Sequence, residues 1–220
     1  MRLSRIIFIA VIVLALTDCS PALSGDAPAE EMVSLGAKTL SPACPVWVIG
    51  SYDAEGKPNV MTASWVGICC SKPPCVAVSL REATYTHGNI SKTGAFTVNV
   101  PSVAHAAETA YFGRVSGRDE DKFAATGFTP VRSELVNAPY VAEFPVVFEC
   151  KVVKTIELGL HTMFVGEIID VKAAADVLGE NGMPDIGKIE PFLFSPGNPD
   201  FFGSGESIGS IGELAGEIKQ

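Results

Sequence analysis

The apolar residues of this chain fall into short runs separated by polar turns, a pattern typical of β-strands connected by hairpins. Residues 45–52, 59–70 and 75–80 are rich in β-branched side chains and predict three strands near the start of the fold. The segment 53–57, DAEGK, separates the first two and carries the glycine that a hairpin reversal favours. These runs predict an antiparallel arrangement at the beginning of the domain.

Two short helices and three further strands are predicted downstream. The helices lie at 86–93, ended by Gly94, and from an N-cap at Ser102 to residue 110. The strands lie at 95–100, 146–156 and 161–171. Residues 113–145 look like a loop with short elements at 122–125 and 131–132, and no periodicity follows Ser195. About six strands at hairpin spacing predict a mainly β fold with short helices, closed into an antiparallel barrel, and not a doubly wound sheet.

The first 24 residues have the features of a targeting segment. Arg2 and Arg5 precede eleven unbroken apolar residues, 6–16, and small residues follow at a suitable distance for cleavage. The pattern predicts a signal peptide at 1–24, a polar linker at 25–34 and export to the periplasm. Cys19 suggests a lipid anchor, which would be the protein's only attachment to a membrane. Alternatively, translation starts at Met32 and the protein is cytoplasmic.

Composition and charge narrow the classes of function. The chain has 220 residues, of which 47% are hydrophobic and 19% charged, as expected for one globular domain. The net charge of −9 and the lack of a basic patch exclude a nucleic-acid footprint. Neither GxGxxG nor a Walker lysine loop occurs, which disfavours Rossmann and P-loop nucleotide sites. The six cysteines include no CxxC pair, so we predict no metal site and interpret them as thiols buried on strands.

Two neighbouring segments carry candidate binding chemistry. The first alternates small and bulky residues on one strand, which lets a flat ligand approach the backbone; its members are Met61, Thr62, Ala63, Ser64 and Trp65. The second leaves a strand and begins a helix that Thr86 is predicted to cap, with hydroxyl, amide and guanidinium donors suited to a phosphate; its members are Ser79, Arg81, Thr84, Thr86 and Asn89. A strand with one polar face and an ordinary capped helix remain the alternatives.

Two further residues are candidates because of their positions. Lys122 lies in the charged loop GRVSGRDEDKF and directly precedes the apolar Phe123. His161 begins a strand just after a turn. An imidazole at this position can reach the carbonyl of a bound ring or a nicotinamide, so His161 is the catalytic candidate. The alternatives are a solvated charged loop for Lys122 and a histidine bonded to its own loop for His161.

The chain resembles the flavoredoxin and flavin reductase family over roughly 170 residues, from residue 35 to about 206. The segments that carry the resemblance are PVWVIGSYDAEGKPNVMTASW, ICCSKPPCVAVSLREATYTHGNI, GAFTVNVPS, YFGRVSG, DKFAATGFTPVRSELVNAPYVAEFP and LGLHTMFVGEI. The resemblance implies an FMN-binding split β-barrel at 35–195, with a Gly/Ser-rich tail at 196–220, and a homodimer that holds FMN near the subunit interface. It implies that the strand at 61–65 lines the isoalloxazine and that the residues around Arg81 surround the phosphate and ribityl chain, with Lys122 and His161 closing the site.

The resemblance also implies a flavin-dependent oxidoreductase. FMN would take electrons from NAD(P)H or from a redox protein and pass them to a flavin, metal or protein acceptor. The predicted leader departs from the family pattern, because members of the family usually start near Met32 and act in the cytoplasm. A periplasmic location would make NAD(P)H scarce. A noncatalytic electron carrier that depends on a partner reductase is therefore the alternative, and a barrel that binds heme or another planar ligand is a weaker one.

Overall fold

The computed structural model describes residues 32–218, so the predicted signal peptide lies outside the described residues. The strands are β1 Cys44–Pro45, β2 Trp47–Tyr52, β3 Pro58–Ala63, β4 Val66–Ser71, β5 Pro74–Arg81, β6 Ala95–Val100, β7 Pro130–Arg132, β8 Pro139–Val141, β9 Val146–Leu158, β10 His161–Ala173, β11 Phe192–Ser195 and β12 Asp200–Gly203. The helices are α1 Tyr85–Thr93, α2 Ala106–Arg114, α3 Lys122–Thr126, α4 Ile186–Ile189 and α5 Ile211–Glu217, with 3-10 turns at Val103–His105 and Ala175–Val177.

Seven strands form one antiparallel sheet in the order β3-β2-β6-β9-β10-β5-β4. The sheet curls, because side chains from strands far apart in this order meet in one buried cluster, among them Ile49, Val78, Phe96, Cys150 and Phe164. Helix α1 packs against β2, β3 and β5 and so spans the gap between the two ends of the sheet. The predicted mainly β, antiparallel fold with short helices is confirmed.

The predicted strand at 59–70 is in fact two strands with a corner between them. β3 ends at Ala63 and pairs with β2, whereas β4 begins at Val66 and pairs with β5 at the opposite end of the sheet. The corner is Ser64-Trp65, and the Trp65 carbonyl accepts a hydrogen bond from the Ser79 N–H at 2.9 Å. The mixed small and bulky residues at 59–70 continue through the corner without a proline or a turn motif, so the expected single strand was wrong. Both edge strands consequently meet at one rim.

The helix caps differ from the predicted ones by a few residues. Thr84, and not Thr86, caps α1, since its hydroxyl accepts from the His87 N–H at 3.3 Å. Gly94 ends this helix as predicted, with φ of 65°, a left-handed conformation that glycine adopts freely. Ser102 makes no side-chain cap; a 3-10 turn follows it, and α2 begins only at Ala106.

A second buried cluster supports the outer side of β3. Phe112 of α2 and Phe123 of α3 pack with Val48, Val60 and Phe144. The region predicted as a loop, 113–145, thus contains α3 and the paired strands β7 and β8. Beyond residue 195, β12 pairs with β11, and a capping box formed by Ser210 and Glu213 begins α5.

The five described cysteines are all free thiols. Cys44, Cys75 and Cys150 are buried as expected, but Cys69 and Cys70 are exposed on β4. The interpretation of buried thiols is therefore wrong for the adjacent pair, which lies on the edge strand of the seven-stranded sheet. In residues 32–218, no helix is long and apolar enough to cross a membrane.

Candidate functional site

A cleft opens at the rim where β3, β5 and β10 come together. It has a volume of about 360 Å³, and we call it the rim cleft. Nine of the sequence candidates line it: Met61, Thr62, Ala63, Ser64, Trp65, Ser79, Arg81, Thr84 and His161. These residues are distant in sequence but adjacent in the sheet, because β10 pairs with β5 so that His161 lies opposite Arg81.

The free edge of β3 forms one wall of the rim cleft. β3 pairs only with β2 in the seven-stranded sheet, so its outer edge presents unpaired backbone groups. Backbone groups of an antiparallel strand alternate between its two edges. Since the Val60 carbonyl points outwards to Lys122, the N–H and carbonyl of Thr62 face the same outer edge. This wall therefore offers both donors and acceptors to a bound molecule.

Two aromatic side chains stand at the opposite wall. The rings of Trp65 and His161 lie with their centroids 4.7 Å apart and are tilted by 44°. Trp65 keeps 41% of its surface exposed, a large apolar area for a side chain fixed at a backbone corner. The wall can stack against a flat ligand. The Ala63 side chain instead points into the core, so this residue offers its backbone to the cleft.

A second cleft adjoins the first and has a volume of about 370 Å³; we call it the loop cleft. The start of α1 and the loop after α2 line it, with Ala83, Thr84, Tyr85 and Thr86 on one side and residues 113–119 on the other. Met61, Thr84 and Gly113 line both clefts, so the two spaces adjoin along these residues. The first turn of α1 leaves N–H groups without intrahelical partners, and the helix dipole makes this end favourable for an anion.

Positive charge is concentrated around the loop cleft. The three ion pairs of residues 32–218 use Lys57 and Lys172 as their cations, so Arg81, Arg114 and Arg118 have no carboxylate partner there. Arg118 is held in place by a 2.8 Å hydrogen bond from its guanidinium to the Ala83 carbonyl, and its guanidinium lies 5.4 Å from the centre of the Tyr85 ring. Arg114 and Arg118 line the loop cleft and Arg81 lines the rim cleft, so cationic side chains border both adjoining spaces.

Lys122 reaches the wall of the loop cleft but uses its ammonium within the protein. Only 4% of the residue is exposed, and Nζ donates to the Val60 and Phe112 carbonyls, both at 2.8 Å. Burial lowers the pKa of Lys122 from 10.5 to about 8. The residue ties α3 and α2 to the free edge of β3, so it positions the wall.

Thr86 and Asn89 lie deeper than expected. Thr86 lines the loop cleft, but it is buried and its Oγ1 accepts from Asn59 Nδ2 at 2.9 Å. Asn89 lines neither cleft; it is buried in α1 and donates to the Ser51 hydroxyl at 3.2 Å. Both side chains fasten α1 to β2 and β3, because they lie one helical turn apart on the face that packs on the sheet.

Sequence reasoning singled out the charged loop at 113–123 but chose Lys122 within it and missed Arg118. Gly117 approaches β3 and the start of α1 so closely that a Cβ there would lie 2.0 Å from Asn59 Oδ1 and 2.9 Å from Tyr85 Cδ1. The segment GRVSGRDEDKF contains Arg114, Arg118 and Lys122, but the sequence alone did not show which of these cations faces the loop cleft.

A third cleft, of about 540 Å³, opens beside the rim cleft and shares Thr62, Ser64, Gly113 and Phe194 with it. We call it the side cleft. Phe201 and Asp200 of β12 and Arg114 of α2 complete its lining. Part of the C-terminal segment therefore forms a wall of the site.

Comparison with known proteins assigns this architecture to a class. The flavin reductase-like domain matches residues 41–198, and the chain belongs to this family. It is similar in structure to the flavoredoxin of Desulfovibrio vulgaris (Miyazaki F), with a TM-score of 0.78 and 47% identity over 82% of this chain and 97% of that one.

Two curated relatives carry names that describe a reaction. The ferric-chelate reductase (NAD(P)H) of Archaeoglobus fulgidus is 31% identical over 58% of this chain and 75% of its own length. The FMN reductase (NADH) RutF of Ancylobacter novellus is 28% identical over 68% of this chain and 76% of its own. The family supports a flavin cofactor and a flavin-related oxidoreductase function, on a split-barrel fold.

Proposed function

We propose that the protein is an FMN-binding oxidoreductase that moves electrons from NAD(P)H or a redox partner to a flavin, metal or protein acceptor. The observation that carries the proposal is that the rim and loop clefts adjoin, with Met61, Thr84 and Gly113 lining both. A slot with an aromatic wall that adjoins a cationic helix start suits a molecule with a planar ring at one end and a phosphate at the other.

The rim cleft would hold the ring system. The free edge of β3 at Thr62 and Ser64 supplies backbone donors and acceptors for the polar edge of an isoalloxazine, and Trp65 and His161 supply the facing aromatic wall. Small side chains at these positions leave the backbone accessible. Ser79 pairs with Met163 of β10 in the sheet and lines the rim cleft.

The loop cleft would hold the phosphate. The free N–H groups of the first turn of α1, the guanidinium of Arg118 and the guanidinium of Arg81 in the adjoining rim cleft are the donors that a phosphate dianion prefers. The Thr84 hydroxyl supports this end of α1 instead, since it donates to the Arg81 carbonyl at 2.9 Å and caps the helix. Charge-assisted bonds of this kind are roughly twice as strong as neutral ones.

When bound, FMN would supply hydride and single-electron transfer chemistry. The residues of this chain would bind and orient the ring, keep one of its faces against the Trp65 and His161 wall, and limit the access of water to it. His161 is the candidate for contact with the reacting part of the ring because it borders the rim cleft. The side cleft shares a wall with the rim cleft and is the candidate position for the electron donor or acceptor.

A noncatalytic electron carrier is the second candidate function. The feature that favours it is the predicted signal peptide, since an exported protein meets little NAD(P)H. Rapid mixing of the reconstituted protein with NADH and with NADPH separates the two. Direct loss of flavin absorbance supports the reductase, and reduction only through an added partner reductase supports the carrier.

Substitution of Arg81 tests the phosphate assignment. Arg81→Ala should weaken FMN binding by about ten- to a hundredfold, because a charged hydrogen bond contributes about 1.5–3 kcal/mol. Arg132→Ala is the matched control, since Arg132 lies on β7 and borders neither cleft. Equal FMN affinity in wild type and Arg81→Ala would show that the phosphate binds elsewhere.

We also propose a homodimer. The β9–β10 hairpin exposes apolar side chains that a second copy would cover, namely Val153, Leu158, Leu160, Ile169 and Val171. Light scattering after size exclusion should give twice the chain mass, and Leu160→Lys should shift it to the single-chain mass. A monomeric wild type would contradict this proposal.

Export remains a proposal as well. It rests on the apolar segment at 6–16 and the arginines before it. N-terminal sequencing of native protein from fractionated cells tests it: a periplasmic protein beginning near residue 25 supports export, and a cytoplasmic protein beginning at Met32 refutes it.

A further inference from the structure

Three thiols meet at the turn of the β4–β5 hairpin, away from the rim where the clefts open. Cys69 and Cys70 lie near the end of β4, and Cys75 lies at the start of β5. The two strands are joined by the two-residue connection Lys72-Pro73, with Ser71 opposite Pro74. None of these thiols borders the rim, loop or side cleft.

The register of the hairpin selects one pair among the three. Ile68 lies opposite Val76, and Cys70 lies opposite Cys75, so Cys69 is the extra residue of a β-bulge. Directly opposed residues of an antiparallel pair have Cα atoms about 4.5–5.5 Å apart. A disulfide spans Cα separations of about 4.4–6.8 Å. Cys70 and Cys75 therefore have the backbone spacing of a cross-strand disulfide.

The two thiols of this pair differ in access to solvent. Cys70 is exposed, whereas only 4% of Cys75 is exposed. Burial raises the pKa of the Cys75 thiol, and the neighbouring Cys70, Cys69 and Glu167 raise it further. Because the thiolate is the nucleophile in disulfide exchange, Cys70 is the residue that an external reagent meets first, and Cys75 is the second partner.

We propose that Cys70 and Cys75 form a reversible disulfide by exchange with a small disulfide such as oxidised glutathione. The Cys70 thiolate attacks one sulfur of the reagent, forming a mixed disulfide and releasing one thiolate. The Cys75 thiolate then attacks Cys70 Sγ, forming the intramolecular bond and releasing the second thiolate. The two cysteines lose two electrons, the reagent gains them, and the two protons leave with the released thiols.

Clustered thiols can also bind a metal ion. In the part of the chain that the structure describes, no group of three or more cysteine, histidine or acidic side chains has the geometry to hold an ion. We therefore treat Cys70 and Cys75 as a dithiol pair.

Differential alkylation of the full chain tests the proposal, in protein with and without FMN. The protein is incubated with oxidised glutathione, free thiols are blocked with iodoacetamide, and the remaining thiols are labelled with N-ethylmaleimide after reduction. Cys70 and Cys75 should acquire the second label together. Treatment with dithiothreitol after the oxidation and before the iodoacetamide step should abolish this label. The intact mass should decrease by two hydrogen atoms without a covalent dimer.

Single substitutions of the three cysteines distinguish the specific Cys70–Cys75 bond from general oxidation of thiols. Cys70→Ser should remove the protection of Cys75, and the matched variant Cys69→Ser should retain the full Cys70–Cys75 bond. Cys75→Ala should leave Cys70 as a stable glutathione adduct. Free Cys70 and Cys75 after incubation, or a bond that uses Cys69 in wild type, would overturn the proposal. The readout is thiol labelling, so its failure is distinct from a failure to bind FMN.

Discussion

Lys122 gives the sharpest test of the energetics at the site wall. The buried ammonium has a pKa of about 8, against 10.5 for an ordinary lysine. Between these two pH values the unfolded chain binds more protons than the folded one, so the free energy of unfolding rises with pH across this window. The difference corresponds to about 3 kcal/mol of extra stability at pH 10.5 relative to neutral pH.

The variant Lys122→Met removes this dependence. It relieves the cost of burying a charge, but it leaves the Val60 and Phe112 carbonyls without their donor, which costs about 1–3 kcal/mol for each. The two effects nearly offset one another at neutral pH. Above pH 10 the wild type has lost its charge penalty and keeps both hydrogen bonds, so the variant should be the less stable protein by about 2–6 kcal/mol.

Urea denaturation of flavin-free protein between pH 7 and pH 10.5 measures this difference. The gap between wild type and Lys122→Met should widen by about 3 kcal/mol, since titrations common to both proteins cancel. Lys92→Met, which changes an exposed lysine on α1, should run parallel to the wild type. A gap that stays constant across this range would refute the lowered pKa and the cause assigned to it.

Two further substitutions test the packing around the site. Gly50→Ala should destabilise the protein by about 3 kcal/mol, because its Cβ would lie 2.1 Å from the Pro139 carbonyl oxygen; thermal unfolding measures this, and Gly88→Ala, which meets nothing within 4 Å, is the control expected to be neutral or slightly stabilising. Thr84→Ala should cost about 1 kcal/mol in urea through loss of the α1 cap, and an unchanged midpoint would show that this cap contributes nothing.

Much of the sheet could be predicted from the sequence because each strand carries its own apolar pattern and turn signal. The long strands β9 and β10 were placed within two residues of their observed ends, and Gly94 marked the end of α1. The corner at Ser64-Trp65 could not be predicted, because it depends on β4 pairing with β5 and not on local preference. The family resemblance, and not periodicity, brought Met61 and His161 together.

The cationic end of the site shows the other limit. Lys122 and Arg118 occupy the same charged segment, and composition does not reveal which of the two cations buries its charge and donates its hydrogen bonds inside the protein. The Phe112 carbonyl that Lys122 binds lies ten residues away, on a different helix. Such a partner follows from tertiary packing alone. The same holds for Asn89, whose partner Ser51 lies on β2.

The most direct measurement of the central claim is a titration of the flavin-free protein with FMN and with riboflavin, followed by flavin fluorescence. We expect saturable binding of one FMN for each chain, and riboflavin binding at least about tenfold weaker, because riboflavin lacks the phosphate that the loop cleft would hold. Absence of FMN binding would refute the proposed cofactor, and equal affinity for the two flavins would refute the role given to Arg81, Arg118 and the start of α1.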